Sequence, residues 1–314
     1  MSVNFRTQLM TYIEQITDNP YHAELVEYIE KIGETPSENV AEASVPIKFT
    51  PSPLLISTMT ALAHMNSYVN REVIYDAFVP PDKEAPIGAK TINKELPIII
   101  QGFCLDKERF KGFGRAPAKA NFMNSATIFV NYREVKIVNV KLFLNGRLQM
   151  TGVSCIEMAG DIAEYIHNWI ASISGAFSNI TDHRITGLET VLINTNYSFG
   201  FNISRERLDE ILTNKYGLCS QFETDGYPGV KFRYYWNRNT VRTSKEGMCY
   251  CPNRRCSGKD TGEELGHCKK ITLAIFTSGN TIVTGGRNME QVRDAYNFIN
   301  RIVSDNYDAI RASA

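Results

Sequence analysis

The chain states one stretch twice. Residues 274–285 read Ala-Ile-Phe-Thr-Ser-Gly-Asn-Thr-Ile-Val-Thr-Gly, and residues 141–152 read Lys-Leu-Phe-Leu-Asn-Gly-Arg-Leu-Gln-Met-Thr-Gly. Phe143 and Phe276, Gly146 and Gly279, Thr151 and Thr284, and Gly152 and Gly285 all share an offset of 133 (276 − 143). Apolar flanks around an Asn-Gly or Ser-Gly pair predict two strands joined by a tight turn, because Gly and Asn accept positive φ at little cost. The offset continues outside the hairpin: Glu157 with Glu290, Asp161 with Asp294, Ile166 with Ile299, Ile170 with Val303. A duplicated unit of this length folds as two related halves, and that constrains every other assignment.

Each half repeats one order of elements. The first opens on a strand-like run at 54–60, a helical run at 69–78 and a strand candidate at 98–100. Strands then follow at 125–132, 137–143 and 147–151, with a helix at 157–173. The second has a strand at 191–195, a helix at 204–214 capped by Ser204, strands at 230–236, 271–276 and 281–284, and a helix at 290–303. Matching Leu54 to Thr190 sets an offset of 136 and matching Phe122 to Tyr227 sets 105, so the first half holds 31 extra residues (136 − 105) before Phe122. The second holds 28 extra (133 − 105) between Tyr227 and Phe276, where four of the seven cysteines sit. The domains read as a helical extension and linker at 1–50, a first repeat at 51–175 with a basic insertion at about 80–121, and a second at 182–305 with a cysteine-rich insertion at about 239–269. Two amphipathic helices are expected within 1–33, as a cap or a partner-docking arm.

Charge enters the argument through its placement. Lys+Arg and Asp+Glu both number 34. Yet 1–50 is acidic, and 107–147 carries Lys107, Arg109, Lys111, Arg115, Lys119, Arg133, Lys136, Lys141 and Arg147 against Glu108 and Glu134. The basic middle is what a polyanion would meet. No apolar run is long enough to span a bilayer, and no secretion signal opens the chain. An odd number of clustered cysteines suits a reducing compartment, so an intracellular protein is expected.

Strand, helix, antiparallel strands and long helix, given twice, resemble the TATA-box-binding protein family over roughly 53–305. The likeness is carried by Tyr227-Pro228-Gly229-Val230-Lys231-Phe232-Arg233 and by Ile275-Phe276-Thr277-Ser278-Gly279 through Val283-Thr284-Gly285. The divergent first half and the cysteine insertion are similar to the family's members in nucleocytoplasmic large DNA viruses. The resemblance implies an α+β saddle: a curved antiparallel sheet of two pseudo-symmetric repeats with helices on the convex face. It also implies a transcription initiation factor that binds and bends A·T-rich promoter DNA through the minor groove, an action for which this family is the general example. Implied partners are a B-type transcription factor and the RNA polymerase machinery, in a viral factory of the host cytoplasm and in the virion. The alternative is a saddle-fold scaffold of the transcription machinery without autonomous DNA binding.

Residue by residue, the family's aromatic wedges fall on Phe122, Phe143, Tyr227 and Phe276, although strand aromatics are also commonly core. Groove-floor contacts fall on Ile56, Thr58, Gln149, Thr151, Leu192, Asn194, Ile282 and Thr284, and a phosphate contact on Arg233. Glu223 and Asp225 match partner-binding acids. The family's central asparagine pair falls on Leu54 and Thr190, which puts the base preference in doubt. The second copy keeps the more apolar hairpin and is expected to be the closer groove reader.

Cys249, Cys251, Cys256 and Cys268 lie within twenty residues of a polar insertion that has too few apolar side chains to order itself. Four thiolates can close a tetrahedral zinc site, although Cys-x-Cys is tighter than usual zinc-ribbon spacing; free thiols on a loop are the alternative. Cys104, Cys155 and Cys219 are isolated. His22, His64, His167, His183 and His267 are scattered, and no phosphate loop, nucleophile elbow or paired-carboxylate motif stands out, so an enzyme is not expected.

Overall fold

The computed structural model describes residues 48–114, 124–178, 182–223, 226–239, 246–249, 251, 256–264 and 266–312. The helices expected within 1–33 lie outside these. The described residues belong to one compact unit.

In chain order the first half supplies β1 (Leu55–His64), α1 (Arg71–Ala77), β2 (Ile98–Cys104), β3 (Phe110–Gly112), β4 (Ser125–Tyr132), β5 (Lys136–Phe143), β6 (Arg147–Val153) and α2 (Ile156–Ala171). The second supplies β7 (Thr186–Ser198), α3 (Arg205–Glu210) running into a π-helical turn at Ile211–Lys215, β8 (Ser220–Gln221), β9 (Val230–Trp236), β10 (Lys269–Ile275), β11 (Asn280–Gly286), α4 (Met289–Asp305) and α5 (Tyr307–Ile310). The strands form one sheet in the order β3-β2-β4-β5-β6-β1-β7-β11-β10-β9-β8. Each strand pairing within it is antiparallel. The architecture is α+β, and the halves meet where β1 pairs β7.

Spacing explains the helices. Along α2, Met158, Ile162, Ile166 and Ile170 are buried every fourth residue; along α4, Val292, Ala295, Phe298, Ile299 and Ile302 are buried at intervals of three and four. Asn288 caps α4 by accepting from the Gln291 amide at 2.9 Å, and the Gln291 side chain returns to the Arg287 amide at 2.8 Å. This reciprocal arrangement satisfies two otherwise orphaned donors. Against these helices the sheet turns Met59, Ala61 and Ala63, Val138, Val140 and Leu142, and Phe232, Tyr234 and Trp236, all in one core. Alternation then directs the intervening side chains to the opposite face.

The pseudo-dyad passes through the Met59–Ile193 pair, flanked by Thr58–Asn194 and Thr60–Leu192. Here the halves superpose at an offset of 134 (193 − 59), and matching bonds agree: Met65 N–H to Gly146 O and Phe199 N–H to Gly279 O, each at 3.0 Å. The sequence match of Leu54 with Thr190 is therefore displaced by two residues. Leu54 precedes β1 and Thr190 pairs with Ala61, away from the dyad. A slide of two keeps every side chain on its face, so strand alternation could not reveal it.

Candidate nucleic-acid interface and metal centre

The face away from the core is built as cross-strand rows. Thr58 opposes Asn194, Asn194 opposes Thr284, Thr284 opposes Thr272, and Thr272 opposes Arg233. The dyad-related row runs Leu192–Thr60–Thr151–Asn139–Phe129. The next rows outward contain Ile282 between Asn196 and Ala274, and Gln149 between Leu62 and Lys141. Eight positions singled out by sequence thus share one face: Thr58, Gln149, Thr151, Leu192, Asn194, Arg233, Ile282 and Thr284. Ile56 departs from the alternation. An irregular register between Ile56 and Thr58 sets it opposite core-facing Thr195, and Leu55, 63% exposed, stands opposite Asn196. Sequence reasoning passed over Thr60, Thr272, Lys231 and Lys270 because short polar strand positions carry no motif. Asn194 brings an amide beside the dyad that the displaced match had assigned elsewhere.

Tyr227 and Phe276 come together at the end of the second half, ring centroids 5.7 Å apart. Tyr227 is exposed and Phe276 half-buried. A Cβ on Gly229 would lie 3.0 Å from the Tyr227 ring and 3.2 Å from the Phe276 ring, so the missing side chain lets the pair sit close to the backbone. The Lys231 Nζ stands 3.5 Å from the Tyr227 ring centre, a cation–π contact. Phe276 holds the corner of the β10–β11 hairpin, its N–H donating to Asn280 O at 2.9 Å. Phe143 occupies the equivalent corner in the first half, half-buried beside exposed Leu144. Phe122 lies outside the described residues. So does Asp225; Glu223 is exposed on the turn before Tyr227.

The four cysteines of the insertion converge. The sulfurs of Cys249, Cys251, Cys256 and Cys268 all lie within 4.8 Å of one another, with Cys251–Cys268 at 3.3 Å and Cys249–Cys268 at 3.9 Å. A tetrahedral centre with metal–sulfur bonds of ~2.3 Å has sulfur–sulfur edges of about 3.8 Å, so this donor set can hold a metal ion. Burial pushes the Cys268 thiol up strongly, and the Cys249 thiol less so. At Cys256 burial also acts upward, but the Gly258 N–H and the Cys251 thiol outweigh it and bring the value down to about 7. A cation held by these sulfurs would displace the thiol protons. Among the described residues all seven cysteines are free thiols.

The insertion is strapped to the sheet by backbone. The Lys270 N–H donates to Gly258 O at 2.7 Å, and Tyr235 N–H to Gly247 O at 2.9 Å. Gly258 has φ +66° and a Cβ there would fall 2.5 Å from Lys270 Cβ, so glycine is required. Arg238 holds Glu263 at 2.5 Å and Glu290 at 2.9 Å, tying the loop to α4. Arg254 and Arg255 lie outside the described residues. Two histidines that are distant in sequence do meet: His167 Nε2 is 3.0 Å from His183 Nδ1, with His183 stacked on Phe177. No third ligand joins them among the described residues. No helix among those residues is long and apolar enough to cross a membrane.

Comparison with known proteins follows the same lines. Residues 265–306, which span β10, β11 and α4, match the family model described as transcription factor TFIID, or TATA-binding protein. A "TATA-box-binding protein-like" protein of Acanthamoeba polyphaga mimivirus is 26% identical over 209 residues, covering 63% of this chain and 52% of that one. The chain thus spans about half the length of this curated relative. The solved TBP of Methanococcus jannaschii aligns with a TM-score of 0.44 at 11% identity, covering 81% of this chain and 99% of that one.

Proposed function

We propose that this TATA-box-binding-protein-like chain, with its viral relative, is a transcription initiation factor that seats its helix-free face in the minor groove of promoter DNA and bends it. One observation carries the reading. A row of short polar side chains (Thr58, Asn194, Thr284, Thr272) crosses the face, and a ring pair, exposed Tyr227 with half-buried Phe276, stands at the end of the β9–β10 strands. Short side chains admit the groove floor, amide and hydroxyl groups suit its acceptor-rich A·T edges, and rings can part a base step. Phe143 serves the same purpose in the first half, with Phe122 its expected partner. The groove floor then falls on Gln149, Thr151, Leu192 and Ile282 as well, with Arg233 at the phosphates. Chemistry is not part of the reading: the family acts by binding. The acids Glu223 and Asp225 are the contact for a B-type factor, through which polymerase is recruited.

The cysteine centre is read as structural zinc. Cys249, Cys251, Cys256 and Cys268 would hold it, and the metal would staple the insertion to the start of β10, which Cys268 immediately precedes. Thiolate donors in a closed set of four suit zinc better than magnesium or calcium.

Fluorescence anisotropy and energy-transfer bending with an A·T-rich duplex test the main reading. Tyr227→Ala with Phe276→Ala should abolish the bend and weaken binding about tenfold or more, since unstacking and wedging stand together. Unchanged bend and affinity would sink it. Metal content of the purified full chain tests zinc: one equivalent in the wild type, lost in Cys256→Ser, is expected, and a folded metal-free wild type would end that claim. Glu223→Lys should reduce capture by a B-type factor. The scaffold reading gains support from a covered strand in the first half.

A further inference from the structure

We infer that engagement of the nucleic-acid backbone is one-sided, confined to the second half and the centre of the sheet; this rests on the reading above. In the second half the outer strand β9 turns Lys231, Arg233 and Tyr235 to the open face, each partly exposed, with Lys270 beside them on β10. The matching strand of the first half, β4, turns Thr127, Phe129 and Asn131 the same way, opposite Lys141, Asn139 and Ile137. All three are buried, at 7%, 5% and 0% exposure. They are buried by the first insertion, whereas in the second half Gly258 of the other insertion lies against Tyr235 and Lys270 and leaves Lys231 and Arg233 half-exposed. Asn131 donates its amide to Ala85 O and Pro86 O at 3.3 and 2.9 Å. The Phe110 ring packs edge-on against Phe129 at 5.9 Å, and a Cβ on Gly114 would fall 2.7 Å from the Phe129 ring. The first insertion lies on the face instead of flanking it.

Charge follows the same asymmetry. Of the nine cations between 107 and 147, four are taken up within the fold. Arg109 is held by Glu72 and Asp106, and Lys111 donates to the carbonyls of Tyr75, Asp76 and Phe78. Arg133 donates to Lys94 O and Leu96 O, and Lys136 to the Ser154 hydroxyl. Cations committed to carboxylates and to the carbonyl end of α1 do not release counterions from a phosphate backbone. Lys231, over the Tyr227 ring, Arg233, 3.6 Å from the Cys219 sulfur, and Lys270, backed by Gly258, stay half-exposed on the open face of the second half. They form a cluster complementary to a polyanionic strand, and that strand is the occupant assigned to it.

The salt dependence of duplex binding by the full chain discriminates. Each phosphate contact contributes about 0.9 to the slope of log K against log salt. Lys231→Gln with Arg233→Gln and Lys270→Gln should therefore flatten the slope by about 2.7, with an unchanged melting temperature. A first-half triple, Lys90→Gln, Lys94→Gln and Lys107→Gln, should leave the slope unchanged. Equal flattening by both triples would overturn one-sidedness while leaving groove binding standing. Absence of duplex binding by the wild type, as if the face took an acidic protein surface, would overturn both.

Discussion

Replacing Gly279 by alanine should cost the protein more than its small size suggests. Gly279 sits at φ +76° in the β10–β11 turn, and a Cβ there would lie 2.3 Å from the Phe201 carbonyl oxygen. The left-handed backbone alone costs a side chain roughly 1–2 kcal/mol. Relieving the clash moves backbone against backbone by about an ångström, since carbon and oxygen need more than 3 Å. That movement stretches Phe199 N–H to Gly279 O at 3.0 Å and Ile203 N–H to Thr277 O at 2.8 Å, each contributing about 1 kcal/mol. Together the penalty is about 3–4 kcal/mol. Gly200 is the internal control: its φ is +82°, yet nothing stands within 4 Å of its Cβ position, so Gly200→Ala carries the backbone term alone. Urea unfolding followed by tryptophan fluorescence measures both. At about 2–4 °C per kcal/mol for a domain of this size, Gly279→Ala should melt roughly 6–16 °C lower and Gly200→Ala about 2–8 °C lower, by thermal denaturation of the two variants side by side. Equal shifts would refute the steric argument. Gly146→Ala, its first-half counterpart at 2.1 Å from Ser67 O, should behave like Gly279→Ala.

Other outcomes follow from burial and charge. Phe232→Ala, at a fully buried site, should destabilise by about 3–5 kcal/mol in denaturant titration, whereas Phe276→Ala should change stability by under about 1 kcal/mol, its ring being partly in solvent. Comparable losses would place Phe276 in the core and remove it from the binding face. Arg109 holds the Asp106 carboxyl below its ordinary value of 3.8. The stabilisation is therefore complete above that value and is lost as the pH falls through the lowered one. Asp106→Asn should remove that acid-limb component, which solvent screening keeps small in so exposed a pair. An identical pH–stability curve for the variant would show that the ion pair contributes nothing.

What the sequence made legible was local. The twice-stated hairpin appears as β5–β6 and β10–β11, and the long helices appear within two residues of their expected ends, because stripe spacing and the Asn288 cap are encoded within one turn or two. The helix expected at 204–214 starts where Ser204 caps it but turns π-helical after Glu210. What escaped was set by non-local packing. The bulged junction of β1 with β7 hides a two-residue slide, and His167 meets His183 only through the path of the chain after α2. The insertion over Phe129 and Asn131 reads in sequence as a basic, Gly/Pro-punctuated segment, and only the fold discloses the carboxylates that take up its Arg109 and the carbonyls that take up its Lys111. The convergence of the four cysteines was legible from composition because few other forces could order so polar a loop.

The pairing of β1 with β7 also decides what the repeats are. Cut apart at residue 180, each half would present the backbone donors and acceptors of a long central strand, 10 residues in one case and 13 in the other, to any extended chain nearby. Open edges of that length template intermolecular pairing and aggregation. Each repeat is therefore the other's guard against self-association, and the duplication yields an obligate whole rather than two transplantable modules.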